Sequence, residues 1–196
     1  MAKEKGLMNM ATVLVLPSVL TPVDTWKQLK VGHRNLQVVD YQQLDVPNFS
    51  FDQLAAACEK LAQDAPQPVV LIGEGFGSLL ALKIATTMFG RLDRLVLVAP
   101  QYRYRSGLLG GLLSRPTING HQKRELSRSM SNLDLTGALV HIMCSTYVYC
   151  GEKDRYSRQA SENIAMRLLD GHLKLVPQMG RQINSDGLHA ISENLR

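Results

Sequence analysis

Six short apolar runs recur along the chain, separated by stretches whose apolar residues fall at helical spacing. ATVLVLP (11–17) is β-branched and ends on a proline, so it predicts a buried strand. LQVVDY (36–41), PVVLIG (68–73), RLVLVAP (94–100), TYVYCGEKD (146–154) and HLKLVP (172–177) predict five more. Between the first two, TPVDTWKQLK fits a short helix, with Trp26 and Leu29 three apart. Ser50 and Gln53 stand at capping-box spacing, and Phe51, Leu54, Ala55, Cys58 and Leu61 then share one helical face. GEGFGSLLALKIATTMF is apolar on nearly every side, as a helix packed centrally against a sheet must be. Further helices are predicted from about Ser157 to Leu169 and over HAISENL (189–195). Near-continuous apolar strands alternating with helices indicate the α/β class: about six mainly parallel strands with helices on both faces.

The length of 196 residues suits one domain spanning 1–196. With 45% hydrophobic and 20% charged residues the chain is excluded from the disordered class. No run approaches the roughly eighteen apolar residues of a membrane span. The lead MAKEKGLMNM lacks an apolar signal core, which gives a cytoplasmic reading. Cys58, Cys144 and Cys150 form no CxxC, and the five histidines never fall at ligand spacing with each other. Neither a metal nor a cofactor is expected.

Charge is placed unevenly. The net +5 arises in residues 101–130, where six basic side chains (Arg103, Arg105, Arg115, Lys123, Arg124, Arg128) face one acid, Glu125. Elsewhere basic and acidic residues balance. A local surplus is unlike the diffuse basicity of nucleic-acid binders, so no nucleic-acid partner is expected. It fits either a solvated arginine-rich connection or one basic feature facing an anionic ligand or surface. With Pro116, four glycines and little periodicity, this segment interrupts the strand–helix rhythm and reads as an insertion over the sheet edge.

Ligands of open parallel sheets bind at the carboxyl ends of the strands, which directs attention to Gly73-Glu74-Gly75-Phe76-Gly77 between the third strand and its helix. A dinucleotide fingerprint fits poorly: Ser78 replaces the third glycine, Glu74 sets a negative charge where phosphate would lie, and the next strand lacks a ribose-binding acid. The second mechanism is the nucleophile elbow, G-x-S-x-G, whose flanking small residues, here Gly73 and Gly77, let strand and helix approach.

VVLIGEGFGSLLALKIATTMFGRLDRLVLVAP resembles the core of the α/β-hydrolase superfamily, whose small bacterial members commonly read GHSFG at the elbow. The resemblance covers most of the chain. LVLPSVLTPVDTW looks like the first retained strand and oxyanion loop, TYVYCGEKD like the turn presenting the triad acid at Asp154, and LKLVPQMGRQI like the last strand and its Gly-His turn. The resemblance implies a serine-hydrolase-like esterase or acyl hydrolase, but two of three triad places depart from it. Gly75 stands at the nucleophile position, and Gly180-Arg181 replaces Gly-His. A Ser–His–Asp mechanism needs a hydroxyl and a base, and arginine is never deprotonated in proteins.

Substitutes are few. Ser78 lies about a helical turn from the elbow and reads as a packing residue. Cys150 ends a strand beside no activating charge, and His189 either reaches the site across a loop or starts the last helix. What the resemblance leaves intact is a cradle. The amide of Phe76 and one from the Pro17–Leu20 loop, at Ser18 or Val19, form an oxyanion-hole-like pair beside Glu74. Gly75 relieves elbow strain and leaves room for a ligand atom. Arg181 either adds positive charge there, pairs with Glu74 and Asp154, or points into solvent.

The reading is therefore a catalytically degenerate protein, a pseudoenzyme that binds a small-molecule or acyl ligand or regulates a partner. The alternatives are a small-ester or acyl hydrolase with an unorthodox nucleophile, and a scaffold. GLLGGLL (107–113) is expected to be a lid, with a homodimer patch or weak membrane contact as the other readings.

Overall fold

The computed structural model describes residues 11–111 and 114–195. Six strands, β1 (Thr12–Leu16), β2 (Asn35–Val38), β3 (Val69–Glu74), β4 (Leu92–Val98), β5 (Ser145–Gly151) and β6 (Gly171–Val176), form one all-parallel sheet. Their order is β2-β1-β3-β4-β5-β6. The helices are α1 (Val23–Trp26), α2 (Phe51–Asp64), α3 (Phe76–Ala85), α4 (Gly120–Ser129), α5 (Arg158–Arg167) and α6 (Ser185–Asn194). The predicted α/β class holds, with strand ends shifted by one to three residues.

The pleat explains why the strands read as unbroken apolar runs. Val13 and Val15 of β1, Val70 and Ile72 of β3, and Val96 and Val98 of β4 face one side, where Trp26 and α6 cover them. Leu14, Leu16, Leu71, Leu95 and Leu97 face the other, against α2, α3 and α5. Each of these side chains is essentially fully buried, a contribution of about 1.5–3 kcal/mol apiece before ordering costs. α3 is buried along nearly its whole length, as its all-round apolarity predicts.

Three local expectations are corrected. Ser50 precedes α2, but its side chain caps nothing. The Phe51 amide donates instead to Ser129 Oγ at 2.9 Å, and the Ser50 amide to Asn48 Oδ1. A capping box does occur at Asn119 and Gln122, opening α4 inside the segment that reads as irregular. α6 begins at Ser185 rather than His189, with Asn184 Oδ1 accepting from the Gly187 amide.

The chain runs from β1 outward to β2, then returns past β1 to β3. Successive connections therefore diverge between β1 and β3, the position at whose carboxyl edge open parallel sheets form their ligand crevice. Among the described residues no helix is long and apolar enough to cross a membrane.

Candidate functional site

The crevice is built around the turn from β3 into α3. Gly75 has φ 52° and ψ −109°, a left-handed conformation that a side chain strains to adopt. Its amide donates to Val98 O at 2.9 Å, tying the turn to β4. A Cβ on Gly77 would stand 1.9 Å from Leu16 O, and one on Gly73 2.6 Å from Gly77 O, so glycine is obligatory on both flanks. At Gly75 itself a Cβ would meet only Ser18, with Oγ at 3.2 Å and Cβ at 3.3 Å. Ser78 Oγ donates to Gly75 O at 2.6 Å and accepts from the Gln101 amide at 3.0 Å, a structural linkage rather than an exposed hydroxyl. Phe76 opens the helix, so its amide has no intrahelical acceptor. The Phe76 side chain is buried edge-on against Tyr41, whose hydroxyl donates to Pro17 O.

Glu74 does not face the crevice. Its carboxylate is fully buried and accepts four hydrogen bonds: Oε1 from Thr21 Oγ1 (2.8 Å) and the Ile183 amide (3.0 Å), Oε2 from Trp26 Nε1 (2.9 Å) and the Ser18 amide (3.2 Å). Burial pushes this carboxyl above its ordinary range, while the four donors pull it back toward ionisation. The residue thereby fastens the loop after β1, helix α1 and the loop before α6 to the end of β3. Of the Pro17–Leu20 amides, Ser18 donates to Glu74 and Leu20 to Ser18 Oγ. Val19 alone of the three amides makes no bond among the described residues.

Asp154 sits in the turn after β5 and is 2% exposed. Its Oδ1 accepts from the amides of Tyr156 and Ser157, each at 3.0 Å, whereas its buried Oδ2 has no partner among the described residues. Arg181, on the loop between β6 and α6, pairs with neither Asp154 nor Glu74, which corrects the expectation of an ion cluster. Its guanidinium lies 3.9 Å from the centroid of the Tyr156 ring and donates to Gly107 O (2.6 Å) and Leu108 O. Arg105 lies 4.8 Å from the same ring and donates to Tyr156 O. The phenol hydroxyl donates to Ser106 O at 3.1 Å. Two guanidiniums thus clasp the Tyr156 ring, contacts favoured by its negative π-surface.

This clasp holds down the segment following β4. Leu108 and Leu109, 1% and 2% exposed, are turned into the core rather than outward to a partner or membrane; Leu112 and Leu113 lie outside the described residues. Thr117 adds a bond from its amide to Val19 O at 2.7 Å.

The two other candidates are not brought to the turn. His189 lies in the middle of α6, largely exposed, with Nε2 3.5 Å from Glu193 Oε1. Cys150 is buried in β5, and burial raises its thiol above the ordinary value. Among the described residues no group of three His, Cys, Asp or Glu is placed to hold a metal. Sequence reasoning misses Tyr156, Thr21, Trp26 and Ile183; only the lone tryptophan carried a signal, as an apolar anchor.

No protein-family model matches the sequence, and comparison with curated protein sequences gives no match. Solved structures do match. A lipase-esterase related protein from Clostridium acetobutylicum superposes with a TM-score of 0.74 at 12% identity, covering 95% of this chain and 93% of its own. An enol-lactonase from Burkholderia xenovorans gives 0.74 at 13%, covering 95% and 90%. A hydrolase from Pseudomonas aeruginosa gives 0.74 at 15%, covering 94% and 88%. With the sheet order and the turn at Gly75, these likenesses establish that the chain has the α/β-hydrolase fold.

Proposed function

We propose that the protein is a catalytically degenerate α/β-hydrolase-fold protein that works by binding a small-molecule or acyl ligand. The observation that carries this reading is Gly75: the nucleophile position keeps the left-handed elbow conformation yet has no side chain to attack a substrate. The other parts of the relay support it. Asp154, at the acid position, retains a buried Oδ2 with no donor, while Arg181, at the base position, is engaged with Tyr156 and two backbone carbonyls. Cys150 is unsuited to replace the nucleophile, being buried with a raised thiol pKa.

In this reading the Phe76 and Val19 amides form a cradle at the start of α3, where backbone N–H groups and the helix dipole attract a carbonyl or oxyanion. Residues 101–130 form the lid, and Arg181 has changed role from proton carrier to latch.

The test is turnover of p-nitrophenyl acetate and butyrate by the unaltered chain, Gly75→Ser, and Gly75→Ser with Arg181→His. The expected result is background activity for the first two and measurable turnover for the double variant alone. A serine at 75 has to take up the strained left-handed backbone conformation and displace the Ser18 side chain, and an imidazole at 181 would supply the N–H that Asp154 Oδ2 lacks. Turnover by the unaltered chain that neither change improves would overturn the reading.

A further inference from the structure

Two of the six basic residues of the segment after β4 meet at a second place. An open pocket of about 290 Å³ lies between Gln101, Arg103 and Arg105 on one side and Gln159 and Asn163 of α5 on the other. No carboxylate lines it. Arg103 and Arg105 rest on the rings of Tyr102 and Tyr156, at 5.4 and 4.8 Å, and neither makes a salt bridge among the described residues. Asp134, whose carboxyl feels the charge of Arg103, has its Oδ1 occupied by the Thr136 amide and hydroxyl.

Gln101 adds a polar wall to this pocket. It is 1% exposed, and its backbone amide donates to Ser78 Oγ, while its side-chain Nε2 is buried without an acceptor among the described residues. Buried donors are ordinarily satisfied, because an orphaned one forfeits its hydration for nothing. Two guanidiniums without a carboxylate partner, one of them donating to Tyr156 O, and three side-chain amides, of which Asn163 donates to the Tyr102 hydroxyl, surround one concavity, so its lining carries two positive charges and no negative one. That is the inverse of a carboxylate or phosphate group, which offers only acceptors and matches the planar guanidinium fork.

We propose that this pocket binds a small oxyanionic ligand through its carboxylate or phosphate group, clamped by Arg103 and Arg105 and oriented by the amides of Gln101, Gln159 and Asn163. The pocket's size and its two cations exclude a polyanion, whose recognition needs an extended basic surface. The site includes none of Gly75, Asp154 or Arg181, so it stands whether or not the turn is catalytic. It shares Arg105 with the clasp on Tyr156, and an occupant would bear on how firmly the segment after β4 is held.

The test is calorimetric and NMR titration of the full chain with inorganic phosphate and, separately, succinate at constant ionic strength. Saturable binding of at least one is expected, with shifts in the side-chain amide resonances of Gln159 and Asn163. Arg103→Gln should weaken binding tenfold or more. Gln159→Glu, an exposed change that leaves the core untouched, should do the same by repulsion. Arg128→Gln, which removes an exposed charge on α4 outside the pocket, should leave it unchanged. Phosphate alone binding identifies a phosphate ester as the ligand class, and succinate alone a carboxylic acid. Absence of saturable binding by either anion, or equal losses in the Arg103 and Arg128 variants, overturns the proposal.

Discussion

Replacing Glu74 by glutamine probes the junction of the fold and its candidate site. The carboxylate accepts from three donors that can only donate, the amides of Ser18 and Ile183 and the indole of Trp26, and from one hydroxyl, Thr21, that can also accept. A glutamine must turn its NH2 toward one side. Facing Ser18 and Trp26 it would orphan two donors. Facing Thr21 and Ile183 it would orphan one, because the hydroxyl can reverse. The second rotamer is therefore expected, with one buried amide left unsatisfied at a cost of about 2 kcal/mol. Alanine leaves all four donors without an acceptor and should cost about 4 kcal/mol. In a chain of this length the glutamine variant should melt roughly 6 °C lower.

The pH dependence separates this account from a generic packing defect. Burial sets the folded-state pKa of Glu74 above its unfolded value, so the native protein binds the proton more tightly than the unfolded chain. The associated stability is fully present below the ordinary carboxyl value and is lost as pH rises through the elevated one. Glutamine does not titrate. In urea unfolding followed by tryptophan fluorescence, the stability gap between parent and Glu74→Gln should therefore narrow as pH rises from about the ordinary carboxyl pKa and level off above the elevated value. A gap that widens across that window would show that the four donors outweigh burial. A variant as stable as the parent at every pH would remove Glu74 from its structural role.

Gly77→Ala should destabilise by about 3 kcal/mol or more in urea, since its Cβ would stand 1.9 Å from Leu16 O; Gly180→Ala, with nothing within 4 Å, should change stability by less than about 0.5 kcal/mol. Equal effects would refute the packing argument. Tyr156→Ala removes the ring between Arg105 and Arg181 and should speed amide exchange at Leu108 and proteolysis around Gly107–Gly111, with little change at β3. Unchanged exchange at Leu108 would show that the clasp is not what holds the segment. Cys58, fully buried with its thiol pushed up to about 12, should resist a thiol-specific disulfide reagent at pH 8 in the native state, as should buried Cys150, leaving half-buried Cys144 the first to react. Rapid labelling of all three would contradict the placement of β5 and α2.

The central strands β1 and β3 were legible because a strand buried on both faces is apolar at nearly every position, whereas the edge strands β2 and β6, largely exposed or half-buried, were read from shorter apolar stretches broken by polar residues. α4 was not: only Leu126 of its ten residues is buried, so it carries no apolar stripe, and its cap is an asparagine–glutamine pair. Ser50 and Gln53 had the letters of a cap, yet Ser129, distant in sequence, provides the acceptor for the first amide of α2. Formal charge made Glu74 and Asp154 the natural partners of Arg181. The ring of Tyr156 takes the guanidinium instead, a preference of geometry rather than of charge. The glycine turn was readable in detail, because close backbone approach admits one residue type.

The bond from the Ile183 amide to Glu74 sets an order of events as well as a shape. Thr21 and Trp26 precede Glu74 along the chain, but Ile183 follows it by 109 residues. During vectorial synthesis, β1, α1 and β3 are complete long before Ile183 emerges, so the Glu74 carboxylate waits with one of its four donors absent. The crevice at the sheet's carboxyl edge is therefore a late product of synthesis, closed when the chain leading into the last helix docks.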